Sequence, residues 1–505
     1  MLSHLQQTMA DARARDGSRP AIRISDGTLR DAHQCLWATR MRTEHMLPIA
    51  ERLDSAGFSF IEAIAMVQFD VAVRSLNQNP FERIRLLRDR ITRTPLRAAI
   101  RSNLMSGFYP VAPDINELFV ERMFANGIRD FGFLESLHCW DNVAPAIQTA
   151  RRLGATVSAG LIFNLAPGYD AAFYEAKARE VVERFDVQNI VFGCAAGIMS
   201  LEDVRTIVPA IKRAIGHRTL EFNTHCLTGL GPLLAIEAAV HGADCVFTAV
   251  DPLTNGNSVP SSHMIASNLR ALGLSVDLDD TALDDVTPYL AALAEHEGQP
   301  VGVAAEYNPF LYKSQFAGGA ISNLEAQLKQ AGLGDKLPEV IQEIARVREE
   351  LGSPVMATPF PAIVAAQAVM NVVNGERYRV VPDEVKKYIC GYFGALPLPV
   401  DQNIADRIIT NGSRDVALTP PPLEPVLPGL RQRYKGMDDD QMLLRYMFGD
   451  EKIDALVPTS QDSAFSVTHP IVDLVETLAK LPRKGRIHVS RGDWSLNCQL
   501  KGGRS

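Results

Sequence analysis

Five short stretches of this 505-residue chain concentrate side chains able to do chemistry: Asp26 to Gln34, Arg101, Glu135 to Cys139, Gly193 to Cys194 and Asn223 to Cys226. Each sits at the end of a β-branched or apolar run, where a strand gives way to a loop and where barrel enzymes place their catalytic groups. Arg101 suits a two-pronged grip on a carboxylate, although an arginine at such a mouth can equally pair with a neighbouring acid. His138 and Cys139 would act as base and nucleophile only if their loop folds them together. Cys194 reads first as a small buried hydrophobe and second as a nucleophile. A thiolate zinc site from Cys194 and Cys226 is disfavoured by strand alternation, since Asn223 and His225 share a face and Cys226 points away.

Positioning these groups requires a repeated strand and helix framework. Strands are expected at Ala21 to Asp26, Phe58 to Ile64, Arg97 to Arg101, Asp130 to Glu135, Thr156 to Phe163, Asn189 to Cys194, Leu220 to His225 and Cys245 to Val250. Helical patterns such as INELFVERMFANG and GPLLAIEAAVHGA fall between them, several closing on glycine. Eight βα units predict an α/β fold, a closed (β/α)8 TIM barrel. After about residue 300 the pattern becomes helical (LEAQLKQAGLG, LPEVIQEIARVREELG, AIVAAQAVMNVVNG), which predicts a mainly helical C-terminal domain. The expected division is an N-terminal extension 1–20, a barrel 21–305, helices 306–455 and a polar tail 456–505. The Pro-rich ALTPPPLEPVLPG from Ala417 should be extended.

Composition narrows the function. A net charge of -8 without long basic runs argues against a nucleic-acid partner and for a small substrate. Seven scattered cysteines without a CxxC pair fit a reducing cytoplasm, and no apolar run of membrane-spanning length occurs.

The block SDGTLRDAHQCLWATR at Ser25 to Arg40 closely resembles the DTTLRDAHQSLxATR block of the carboxyltransferase family of pyruvate carboxylase, the oxaloacetate decarboxylase alpha subunit and the transcarboxylase 5S subunit. Collinear matches continue at FDVAVRSLNQNPFERI, TPLRAAIRS, QFAGGAISNLEAQL and AQAVMNVVNGERY, covering roughly residues 20 to 450. The resemblance implies carboxyl transfer between carboxybiotin and a 2-oxo acid of the pyruvate or oxaloacetate type, or a related small carboxylate. A divalent cation (Mg²⁺, Mn²⁺ or Zn²⁺) would stabilise the enolate. It assigns Arg30, Gln34 and Arg101 to substrate and metal positions, and Ser322 to proton passage between substrate and biotin. Asp31 and His225 match two metal ligands. Asn223 stands at the other histidine position and offers a neutral oxygen, while Gly193 and Cys194 stand where the family has a carbamylated Lys followed by Asp.

Further departures reshape the pocket. GFLESLHCW replaces RIFDALND and IAMVQFD replaces WGGATFD, making Asp70, Glu135, His138 and Cys194 substrate-pocket candidates, with Glu135 or His138 as replacement ligands. Without a metal, Asp31 and His225 would simply hydrogen-bond beneath the pocket. No AMKM-type biotinyl lysine motif is seen, so biotin is expected on a separate carrier served by a biotin carboxylase. The resemblance also implies a homodimer. Two alternatives are a carbon–carbon lyase or aldolase of the same barrel that does not use biotin, and a non-catalytic paralogue regulating a true carboxyltransferase.

Overall fold

The computed structural model describes residues 21–105, 110–316, 319–459, 485–491 and 494–500. Eight parallel strands close a barrel: β1 (Arg23–Asp26), β2 (Ile61–Ala65), β3 (Leu96–Arg101), β4 (Asp130–Leu134), β5 (Thr156–Ile162), β6 (Asn189–Cys194), β7 (Thr219–Thr224) and β8 (Cys245–Thr248). Each falls on an expected segment, and helices run between them. Local chemistry sets the helix ends. Ser200 and Asp203 cap each other at the start of Leu201–Ile215, and Gly127 ends Pro113–Asn126 at φ 132°, where a Cβ would collide with the Arg88 side chain.

The barrel interior is charged as well as apolar. Arg97, 1% exposed, spans β3, β4 and β7 by donating to Asp130 (2.9 and 2.8 Å), to Ser158 (2.8 Å) and to both oxygens of Glu221, and lies 3.4 Å over the Phe60 ring. Removing the guanidinium leaves two buried carboxylates without a counter-charge. Arg97→Met is therefore expected to destabilise the fold by ~3 kcal/mol, read as a lower denaturation midpoint with an unchanged slope.

Asp54, at the end of the helix Thr43–Ser55, anchors the entry to β3 by accepting the backbone N–H groups of Thr92 (2.9 Å), Arg93 (3.1 Å) and Thr94 (2.7 Å). Burial alone would raise its carboxyl, but these hydrogen bonds more than offset that and hold it below its usual value. A lowered folded-state value gives stability that is present above the unfolded-state value, near 3.9, and lost as pH falls through the lowered one. Asp54→Asn should thus cost ~1 kcal/mol at pH 7, and its melting temperature should converge on that of the wild type in acid.

The C-terminal helices, among them Gly319–Gln330, Leu337–Glu350, Phe360–Asn374, Asp383–Ile389 and Gln402–Asn411, share an apolar core that also takes in Leu104 and Leu137 from the loops after β3 and β4. They therefore dock on the C-terminal end of the barrel. Polar ties reinforce this: Gln315 exchanges two hydrogen bonds with the Leu165 backbone, and Arg348 donates to Asn164. The described residues up to Thr459 form one compact unit. The Pro-rich stretch is irregular until Leu427 and then turns helical through Arg433, one turn earlier than its composition suggests. The tail unit, Asp462–Ser505, contains an antiparallel pair, Gly485–Arg491 with Trp494–Leu500, which its polar composition had not signalled. No described helix is long and apolar enough to cross a membrane.

Candidate active site

After β1 the chain turns directly into a wide helical turn, Thr28–Ala32, closed by Ala32 N–H donating to Gly27 O at 3.0 Å, and continues as His33–Leu36. A π-type turn of this kind at a strand end often marks a functional site. Here it buries Arg30 and Asp31 and sets Asp31 beside Cys35, one turn on.

Asp31 is the hub. Its Oδ2 lies 2.8 Å from His225 Nε2, just beyond β7, and its Oδ1 accepts from Arg30 Nη1 at 2.7 Å. Arg30 in turn donates to Glu62 on β2 through Nε (3.0 Å) and Nη2 (2.7 Å). His225 Nδ1 donates to the Ala195 carbonyl at 2.8 Å, which fixes the ring and leaves Nε2 aimed at Asp31. Burial would raise the Asp31 carboxyl, but Arg30 and His225 outweigh it and hold the group well below the ordinary range. Burial likewise opposes the imidazolium of His225, and Asp31 and Cys35 reverse this, raising its pKa well above the usual value. Cys35 Sγ completes the cluster, 3.9 Å from Asp31 Oδ1 and 4.0 Å from His225 Nε2. Among the described residues this is the one group of His, Cys, Asp and Glu with metal-binding spacing.

The neighbouring strand ends converge here. Gly193 pairs in register with Asn223, and His225 N–H donates to Cys194 O, so positions 193, 223 and 225 lie side by side. A Cβ at Gly193 would meet nothing closer than 3.9 Å, so the site has space where a longer side chain would enter. Arg101, at the end of β3, keeps its buried Nε without a hydrogen-bond partner among the described residues; burial lowers its pKa and the nearby Asp70 carboxylate supports its charge. Asp70 also accepts from Arg74 at 3.5 Å. Gln34 is held by Gln68, which donates to its Oε1 at 3.4 Å and to Arg30 O at 3.0 Å.

Other candidates are engaged elsewhere. Both oxygens of Glu135 are used, accepting from Leu137 N, Cys139 N and Asn142 Nδ2 of the segment that follows it and from Ser102 Oγ just beyond β3 (2.7 to 3.2 Å). His138 accepts the Ile162 N–H at Nε2 (3.1 Å) and packs among Tyr169, Phe173 and Tyr174, and burial pushes it down to about 3, so it is a neutral structural ring. Cys194 is a buried thiol whose Sγ accepts Ile198 N–H at 3.3 Å, and burial pushes its pKa up. Neither Glu135 nor His138 belongs to the Asp31 cluster that a replacement ligand would have to join. Ser322 lies in the helix Gly319–Gln330, and its side chain is outside the described residues. The sequence pattern alone did not single out Cys35, Glu62 or Gln68. For Cys35 the signal was present, in the i, i+4 spacing from Asp31 and the cysteine within a closely matching block.

Comparison with known proteins bears on the family and the fold. The profile of the "Conserved carboxylase domain" family matches residues 311–481. One subunit of the pyruvate carboxylase of Methanocaldococcus jannaschii is 34% identical over 407 residues, 80% of this chain and 71% of that protein. The 2-oxoglutarate carboxylase large subunit of Hydrogenobacter thermophilus is 30% identical, over 78% of this chain and 61% of that one. The carboxyl transferase domain of Rhizobium etli pyruvate carboxylase, solved with oxamate and biotin, superimposes with a TM-score of 0.78 at 22% identity, over 89% of this chain and 78% of that domain, a likeness of fold. With a relative at this identity aligned over most of both sequences, the chain belongs to the carboxyltransferase family of pyruvate carboxylase.

Proposed function

We propose that this protein is the carboxyltransferase component of a biotin-dependent carboxylase, moving a carboxyl group between carboxybiotin on a separate carrier and a 2-oxo acid of the pyruvate or 2-oxoglutarate type. The observation that carries the proposal is the pair of buried Asp31 and partly buried His225 facing each other at the C-terminal end of the barrel. Its oxygen and nitrogen donors, with Cys35 alongside, fit a divalent cation (Mg²⁺, Mn²⁺ or Zn²⁺). Such a cation, when bound, supplies Lewis-acid stabilisation for the charge on the keto oxygen as the 2-oxo acid becomes its enolate.

The chain's own groups do the rest. Arg30 engages one Asp31 oxygen and leaves the other toward His225. The Ala195 carbonyl keeps His225 Nε2 directed at the site. Arg101, whose buried Nε has no partner among the described residues, takes the substrate carboxylate, and Gln34, steadied by Gln68, offers its amide beside it. We assign proton passage between substrate and biotin to Ser322, and space for an acceptor to the region of Asn223 and Gly193. The working assembly is a cytoplasmic homodimer served by a biotin carrier and a biotin carboxylase. Transfer of the oxaloacetate carboxyl to free biotin or to a biotinylated carrier tests the assignment. Faster loss of oxaloacetate in the presence of either is expected, and no response to both would contradict it.

A further inference from the structure

We infer that Cys35 is a metal ligand and that the cation site of this protein is an Asp31, Cys35 and His225 site built for zinc. The inference rests on the placement of the cation between Asp31 and His225 proposed above, and it names the third donor.

The geometry comes first. Tetrahedral zinc holds nitrogen and oxygen donors at ~2.0 to 2.2 Å and sulfur at ~2.3 Å, so neighbouring donor atoms end up about 3.3 to 3.6 Å apart. In the structure Asp31 Oδ2 lies 2.8 Å from His225 Nε2, Cys35 Sγ lies 4.0 Å from the same nitrogen and 3.9 Å from the other Asp31 oxygen, Oδ1, and one donor atom from each residue lies within 4.8 Å of the other two. An ion between them requires the direct Asp31 and His225 contact to open by about half an ångström and the sulfur to close toward His225 by a few tenths. Three protein ligands from two elements, with one position left for a substrate oxygen, is the ligand count of catalytic zinc sites.

Charge and donor type point the same way. Asp31 alone would leave a dication one charge in excess, because the neighbouring Arg30 cation is already matched by Glu62. A Cys35 thiolate removes that excess. Sulfur also selects the metal, since Mg²⁺ and Mn²⁺ favour oxygen donors while zinc accepts thiolate and imidazole together. The other thiols near the site do not compete: Cys194 Sγ is buried and accepts a backbone N–H, and Cys226 is buried after β7. Cys35 is only partly buried, on the same helical face as Asp31. The supporting contacts suit ligation, with His225 Nδ1 tied to Ala195 O and Asp31 steadied by Arg30.

The experiment uses the full chain, stripped of metal and reloaded with Zn²⁺, Mn²⁺ or Co²⁺ separately, as wild type, Cys35→Ser and Cys35→Ala, each checked for an unchanged far-ultraviolet dichroism spectrum. Wild type should bind about one equivalent of zinc and, with cobalt, show a thiolate-to-cobalt charge-transfer band in the near ultraviolet. Both variants should lose that band and bind zinc about 100-fold more weakly or worse, since even outer contacts to a ligand cost ~10- to 100-fold. A folded Cys35→Ser protein with unchanged zinc affinity, a wild type without the band, or a wild type that takes no zinc would overturn the assignment. Carboxyl transfer to biotin, measured on the same Zn²⁺- and Co²⁺-loaded wild-type samples, separates the two proposals. Activity without a thiolate band sinks the ligand and keeps the reaction, and a thiolate band without activity does the reverse.

Discussion

Asp31→Ala is expected to abolish metal retention and to lower carboxyl transfer on the order of 10⁴-fold, because the cation contributes several kcal/mol to the charge on the keto oxygen. The carboxylate is the hub of the cluster, touching His225 at 2.8 Å, Arg30 at 2.7 Å and Cys35 at 3.9 Å. Its loss takes away the one acid that faces the imidazole. The fold should survive, since Arg30 keeps Glu62 as a partner and the charge removed lies at the open end of the barrel. Asp31→Asn makes the sharper comparison. It preserves shape and removes charge, so metal content by elemental analysis should fall in both variants while the melting temperature falls more in the alanine. Full metal content in a folded Asp31→Ala protein would show that the cation sits elsewhere.

Arg101→Gln should reduce kcat/KM for the 2-oxo acid about 10³-fold, mostly through KM. A two-pronged guanidinium to carboxylate contact comprises two charge-assisted hydrogen bonds, each worth ~1.5 to 3 kcal/mol, and glutamine recovers little of it. The buried Nε, without a partner among the described residues, marks this arginine as open to an acceptor, and the Asp70 charge supports its own. Partial rescue by added guanidinium would locate the effect at this contact. An Arg101→Gln enzyme with unchanged KM and reduced stability would instead make Arg101 a structural residue.

The barrel was legible because its strands are short, apolar and followed by amphipathic helices, and each of the eight expected segments overlaps an observed strand. Asp31 and His225 were legible for a different reason, since they stand in motif blocks whose order along the chain matches a known family. What was not legible is what depends on packing between distant segments. His138 looked like a base or a ligand from its type, but a positive φ of 54° and three aromatic rings turn it inward, with its Nε2 already used by Ile162 N–H. Glu135 looked like a pocket acid and instead ties down the segment that follows it with three donors and the end of β3 with a fourth, Ser102. Glu62 sits inside an apolar strand segment, and only the barrel's closure shows that it balances Arg30. Cys35 was hidden by agreement, one of two changed residues, with Gly27, in a block that otherwise matched.

Carboxyl transfer from biotin at the Asp31 and His225 site can be followed by charging a biotinylated carrier with labelled bicarbonate through a biotin carboxylase. The full chain and either pyruvate or 2-oxoglutarate are then added, and the label in the product acid is followed for wild type and Asp31→Ala. Label entering at least one of the two acids with wild type, and falling on the order of 10⁴-fold with Asp31→Ala, is the result expected. Label entering neither acid, or entering equally with both proteins, would contradict the account.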